Sequence, residues 1–311
     1  MTFSEYDVSF AADENFPIYG TLTIPDGTAP FAAVVMVHGS GATNRDEAVL
    51  VNAPFRDLAH GLAERGIASL RYDKRTFTHA SSEPNLMEKL VKVVATIQGE
   101  VTDDAQAAVR LLRGDERIDG ERIFVLGHSM GAGLAAYIGS KEPVAGYIAM
   151  AGTLKQLWEV IVDQNNAALA ENPQLDTSEI RAQLDAEIEN AKILKADPAQ
   201  DADGTLLFGL PLKYLRSMAE IDAAALHLAD GKPVLVLQGG CDKQVPVEYF
   251  EEWKTALAEH AAAKFVLYPA LNHLFGEYTG EPKSIMQIME EYAVRTPVPT
   301  EVIAEIAAFI R

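Results

Sequence analysis

The sequence predicts an α/β fold: a mostly parallel central sheet flanked by helices, with a helical block inserted into it. Three features predict it. Apolar runs of strand length alternate with segments of helical periodicity along most of the chain. One run, FAAVVMV at 31–37, is continuously apolar, as a strand buried on both faces must be. Between Gly152 and Gly231 the alternation stops and only helical patterns remain.

The elements follow in order. EYDVSF and IYGTLTI read as strands separated by the turn-rich ADENFP, and FAAVVMV is the third strand. PFRDLAHGLAERG has helical spacing, with Leu58, Leu62 and Ala63 on one face and Gly66 as its stop. IASLRYD is a strand, DDAQAAVRLLRG a helix, RIFVLG a strand, MGAGLAAYIGS a helix and VAGYIAMAG a strand. Repetition of this kind implies parallel strands joined by right-handed crossovers. LKQLWEVIVDQNNAAL, TSEIRAQLDAEIENAKIL and PLKYLRSMAEIDAAALHL then form the helical block, punctuated by Pro173, Pro198 and Pro211. PVLVLQGG, a helix over Val247 to Ala262, KFVLYP and TEVIAEIAAFI complete the chain. The expected division is a core of residues 1–152 and 231–311, with a cap of residues 153–230 over the sheet's carboxyl edge.

At 311 residues, 48% hydrophobic and 23% charged, the chain has ample material for a core. Its formal charge of −19 repels phosphate backbones and anionic lipid, which excludes nucleic acid and membrane as partners. No apolar run is long enough to span a bilayer, and MTFSEYDVSFAADENF lacks the regions of a secretory signal. Cys241 is the only cysteine, so no internal disulfide can form. A cytoplasmic protein is expected.

The stretch VLGHSMGAG at 125–133 carries the chemistry. A strand ends at Ser129 between Gly127 and Gly131, and a helix follows, which is the G-x-S-x-G nucleophile elbow. Small residues two positions either side let the backbone turn sharply enough to expose the hydroxyl. A serine needs a base. In a parallel sheet chemistry gathers at the carboxyl ends of strands, where His38 and His273 stand, whereas His60 and His260 fall on predicted helices. His273 follows the serine in the chain, in the order serine, acid, histidine, and is the preferred base. Asp242, just past the strand PVLVLQ, is the acid that would hold the imidazole tautomer. The oxyanion formed by attack needs two N–H donors. Met130, first in the helix, supplies one, and the loop HGSGATN supplies the other, at Ser40 with Gly41 as the alternative.

Other readings of these segments are weaker. GSGATN lacks the third glycine of a dinucleotide loop, since Asn44 stands there, and no G-K-[ST] occurs; no cofactor or metal is expected. Cys241 has no base of its own and reads as a buried structural thiol. Asn44–Glu47 and Arg71–Arg75 suggest an ion-pair network bracing the oxyanion loop, with Asp46 against Arg75. Trp158, Leu206, Leu207, Phe208, Leu210 and Tyr214 are expected mainly to pack the cap, with a few lining a pocket.

The elbow GHSMG, the loop HGSG, the late GGCD and the loop LNH together resemble an α/β-hydrolase. VVMVHGSGATNRDE, NAPFRDLAHGLAERGIASLRYDKRT and ERIFVLGHSMGAG are similar to bacterial carboxylesterases of the esterase D type, grouped with dienelactone-hydrolase-like and acyl-aminopeptidase-like proteins. The similarity runs from about Phe16 to Leu157 and resumes at Pro233, and it implies catalytic roles for Ser129, Asp242 and His273. The expected activity is hydrolysis of a small, largely apolar carboxylic ester through an acyl-enzyme. Aminopeptidase, amidase or acyltransferase chemistry on the same three residues is the alternative within enzymes. A non-catalytic small-molecule binder is the alternative outside them.

Overall fold

In the computed structural model the strand patterns become β1 (Phe3–Phe10), β2 (Ile18–Pro25), β3 (Phe31–Val37), β4 (Ala68–Tyr72), β5 (Ile118–His128) and β6 (Gly146–Met150). After short β7 (Leu206–Leu207) and β8 (Leu210–Pro211) come β9 (Val234–Gly239) and β10 (Ala263–Tyr268). The helices are α1 (Pro54–Ala63), α2 (Arg75–Thr78), α3 (Pro84–Val93), α4 (Asp103–Arg113), α5 (Met130–Lys141) and α6 (Leu157–Ala170). They continue as α7 (Ser178–Asn190), α8 (Leu212–Ala219), α9 (Ala223–Asp230), α10 (Val247–Ala256), α11 (Ile288–Tyr292) and α12 (Thr300–Ile310). The structure describes residues 2–311 apart from 81–82, 172–173, 175, 199–200, 203 and 279–283, so Pro173 lies outside it.

One eight-stranded sheet runs in the order β1-β2-β4-β3-β5-β6-β9-β10. β1 and β2 pair antiparallel, as do β2 and β4, and every later pairing in this sheet is parallel. Alternation along β3 explains the layers. Ala33, Val35 and Val37 join a core with Ala105, Ala108 and Leu112 of α4 and with Phe250 and Trp253 of α10. Val34 and Met36 face the other way, against Phe55, Leu58 and Leu62 of α1 and Val302, Ile306 and Ile310 of α12. Burying each such large side chain contributes about 1.5–3 kcal/mol, so both faces must be covered.

Three details differ from the sequence reading. The helix expected over 247–262 ends at Ala256, and His260 lies in the turn beyond it. Residues 75–102 form α2, α3 and a π-helical turn at Gln98–Thr102, where no element was assigned. In α3 the apolar Leu86, Met87, Leu90 and Val91 recur at helical spacing, but only Leu90 is buried. The helical block also contains the β7–β8 hairpin. Its two loop residues, Phe208 and Gly209, both have positive φ, as a tight hairpin requires.

The segment between β6 and β9 has a small core of its own, Ala191, Leu207, Leu212 and Leu215. Trp158 stacks on Phe208 beside it, with centroids 5.9 Å apart. Among the described residues no helix is long and apolar enough to cross a membrane. Because β3, β5, β6, β9 and β10 run parallel, their carboxyl ends share one edge. His38, Ser129, Asp242 and His273 all follow strands ending there.

Candidate active site

β5 passes into α5 through one residue, Ser129, at φ 54° and ψ −121°. Such a conformation costs a non-glycine residue about 1–3 kcal/mol. The flanking glycines make it attainable. A Cβ on Gly127 would overlap the Gly131 carbonyl, and one on Gly131 would overlap the carbonyl oxygens of Val37 and His38. The Ser129 N–H donates to Met150 O at 2.9 Å, which ties the turn to β6. Ser129 thereby reaches the wall of a cavity of about 310 Å³, together with Met130 and Ser40. Met130 opens α5, so its N–H has no carbonyl one turn earlier in the helix to bond.

Asp242 and His273 meet although 31 residues separate them. His273 Nδ1 donates to Asp242 Oδ2 at 2.7 Å, and both residues are buried. That carboxylate also accepts from Gln238 Nε2 at 3.2 Å and from the N–H groups of Gln244 and Val245, each at 2.8 Å. Two glycines bring the loops this close. A Cβ on Gly239 would lie 2.7 Å from Asn272 O, and one on Gly240 would lie 2.6 Å from Pro269 O. Asn272 Oδ1 accepts from the N–H groups of Leu274 and Gly276, fixing the turn that carries the imidazole. With the proton on Nδ1, His273 keeps a lone pair on Nε2. Among the described residues no hydrogen bond joins that nitrogen to Ser129 Oγ. Bonds of this kind are often long in unliganded sites and shorten with substrate.

His128, the neighbour of Ser129, links the three loops. Its Nε2 donates to the His273 carbonyl at 2.8 Å, and the two rings lie 4.7 Å apart. Its Nδ1 is 3.0 Å from Glu47 Oε2, an ion pair between two buried side chains. Glu47 Oε1 accepts the Gly39 N–H at 2.7 Å. Sequence reasoning named Glu47 only within the segment Asn44–Glu47 expected to brace the oxyanion loop, without its partners Gly39 and His128, and it placed His128 within the elbow without a role.

This pair makes a pH prediction. Burial alone would lower the His128 pKa, yet the Glu47 carboxylate and the His273 carbonyl raise it above its ordinary 6.5. Burial would raise the Glu47 pKa, yet His128 and the Gly39 N–H hold it below 4.5. The histidine's contribution to stability is complete below about pH 6.5 and lost as pH rises through its raised value. The carboxylate's contribution is complete above about pH 4.5 and lost in stronger acid. Tm should therefore fall as pH rises above about 6.5, and Glu47→Gln should flatten that slope. A variant whose Tm follows the parent across that range would refute the charged pair.

The remaining candidates separate clearly. His38 is buried between the rings of Phe55 and Tyr72 and bonds Asn44 O at 3.1 Å. Burial pushes its pKa down to about 4, so it is a packed neutral residue. Cys241 is half-buried rather than fully buried, and burial raises its thiol pKa, the wrong direction for a nucleophile. The expected Asp46–Arg75 pair is not formed. β4 ends at Tyr72 and α2 begins at Arg75, which carries that guanidinium to buried Asp104 of α4. Asp46 pairs with Arg71, and Arg45 with Asp73 at 2.7 Å. Gly41, the alternative donor, is at φ 88° with open space around it. Of the six apolar residues singled out in the insertion, only Leu210 lines the cavity.

The family described as Serine aminopeptidase, S33, matches residues 28–278. Esterase EstD of Thermotoga maritima is 35% identical over 295 residues, covering 94% of this chain. The chain spans 65% of that relative's length. Among solved structures, the Pyrococcus furiosus esterase Pf2001 has a TM-score of 0.57 at 17% identity, with 99% of this chain and 91% of that chain covered. Est1E from Butyrivibrio proteoclasticus has a TM-score of 0.58 at 16% identity, with 97% and 99% covered. The fold is the α/β-hydrolase fold. With the elbow, the sheet and the match over residues 28–278 agreeing, this chain belongs to the serine aminopeptidase S33 family.

Proposed function

We propose that this protein hydrolyses small to medium, largely apolar carboxylic esters through an acyl-enzyme on Ser129. His273 Nε2 takes the hydroxyl proton as Ser129 Oγ attacks the ester carbonyl carbon, and Asp242 stabilises the imidazolium. The N–H groups of Met130 and Ser40 receive the oxyanion. The alcohol leaves with the proton from His273, and a water deprotonated by the same nitrogen then releases the acid. The observation that carries the reading is the buried Asp242–His273 bond of 2.7 Å, linked through His128 to the strained serine.

The cavity supports the substrate class. Leu134, Leu154, Leu157, Val160, Ile161 and Met218 make its walls largely apolar. Residues 153–230 contribute many of them, which supports their reading as a cap over the core of residues 1–152 and 231–311. The family's description raises a second reading, an aminopeptidase. Recognition of a free amino terminus calls for a carboxylate, and none lines the cavity among the described residues; its one charged side chain is Lys155. The single unpaired cysteine fits a reducing compartment such as the cytoplasm.

p-Nitrophenyl esters of rising acyl length should be turned over, and a fluorophosphonate should label Ser129. Folded protein inert to every ester and to the probe would overturn the assignment. Turnover of amino-acid anilides with none of esters would favour the aminopeptidase.

A further inference from the structure

Lys74 has no part in the chemistry above, yet its side chain is only 2% exposed. Burying an ammonium is costly unless it is paired and its donors are used. Lys74 Nζ donates to Glu100 Oε1 at 2.8 Å and to the Gly39 carbonyl at 3.2 Å. Glu100 sits on the π-helical turn Gln98–Thr102, a distortion often found beside functional sites. Its other oxygen accepts the Tyr214 hydroxyl, from α8 of the insertion, at 2.5 Å. The same hydroxyl lies 3.8 Å from Met130 Sδ. A chain of contacts therefore runs from the insertion through Tyr214, Glu100 and Lys74 to Gly39.

Gly39 precedes the proposed donor Ser40. A Cβ on Gly39 would lie 3.0 Å from Ser129 Cβ, so its backbone rests against the nucleophile. Its N–H is held by Glu47 and its carbonyl by Lys74. A trans peptide is planar, with the carbonyl of one residue antiparallel to the N–H of the next. Holding the Gly39 carbonyl therefore fixes the direction of the Ser40 N–H. Were that peptide to rotate, an oxyanion would lose one preorganised donor.

We propose that Lys74 is a positioning residue: held by Glu100 and Tyr214, its ammonium orients the Gly39–Ser40 peptide so that the Ser40 N–H receives the oxyanion. The proposal rests on the esterase reading of Ser129. It also couples seating of the insertion to assembly of the oxyanion site, because Tyr214 belongs to the insertion and Gly39 to the core.

The test is Lys74→Met/Glu100→Gln, which removes both charges of the pair together, with Tyr214→Phe as the milder probe. Turnover of a p-nitrophenyl ester, its KM and the Ki of a trifluoromethyl ketone are measured for each variant and the unmodified chain. That ketone forms a hemiketal oxyanion on the serine, so its Ki reports the donors, whereas KM reports the ground state. The double variant should lose about 10²–10³-fold in kcat with KM changed little, and the ketone Ki should rise in parallel. Tyr214→Phe should lose between about threefold and tenfold, in the same pattern. If either variant folds and both kcat and the ketone Ki stay within about threefold of the parent, Lys74 has no positioning role. A kcat loss without a matching rise in the ketone Ki overturns the proposal too. Should the double variant fail to fold, Tyr214→Phe decides alone. An unmodified chain inert to esters and fluorophosphonate overturns both readings, whereas an active one with unaffected variants overturns only this one.

Discussion

Ser129→Ala is expected to abolish ester turnover, lowering kcat by about 10⁶-fold while leaving the fold intact. The size of the effect follows from the acyl-enzyme step. Without Oγ no covalent intermediate can form, and His273 has no hydroxyl proton to accept. Losing the nucleophile of such a set costs about as much as losing every member, because they act as a unit. The residual rate is expected from the donors proposed at Ser40 and Met130 and from binding in the cavity. The fold should be insensitive, because the strained φ of 54° is imposed by the Ser129 N–H bond to Met150 and by the flanking glycines, none of which the substitution touches. Steady-state kinetics with circular dichroism and a melting curve test it. A folded variant within about tenfold of the parent's kcat would remove Ser129 from the mechanism.

Gly127→Ala is expected to produce the largest loss of stability, more than about 4 kcal/mol, and to yield little soluble protein. The new methyl would overlap the Gly131 carbonyl and come within 2.5 Å of Ala132 N. Both atoms belong to the backbone of α5's first turn, so no side-chain rotation relieves the clash. The turn would have to open, withdrawing Ser129 from the cavity. Gly120→Ala is the control: it lies on the same strand, a Cβ there meets nothing within 4 Å, and its effect should stay within about 0.5 kcal/mol. Denaturant melts of the two variants should therefore differ sharply. Comparable midpoints would show that the elbow tolerates a side chain at position 127.

Much of the sheet was legible because burial on both faces leaves a local signature. FAAVVMV is apolar throughout, RIFVLG and PVLVLQGG carry the apolar runs IFVL and VLVL, and each forms a strand of the parallel region. The elbow was legible because its demand is steric and confined to five residues. Residues 75–102 carried no assigned element. Leu86, Met87, Leu90 and Val91 do recur at helical spacing, whereas α2 is a single turn and the π turn that carries Glu100 depends on packing rather than propensity. The Asp46–Arg75 expectation failed for a related reason. Side-chain direction after β4 depends on where the strand stops, and Arg71 and Arg75 are equal partners on paper until α2 turns one of them toward Asp104.

Sequence alone determined the layered α/β class, the serine on its turn, and the strand-end positions of Asp242 and His273, since each of these depends on residues near one another in the chain. Tertiary structure decided which distant groups share a buried space. It paired Glu47 with His128, set Lys74 against the Gly39 carbonyl, and moved Arg75 out of the site. Those choices follow from loop closure across neighbouring strands and from the cost of leaving a buried charge unpaired, and neither is written in any short stretch of residues.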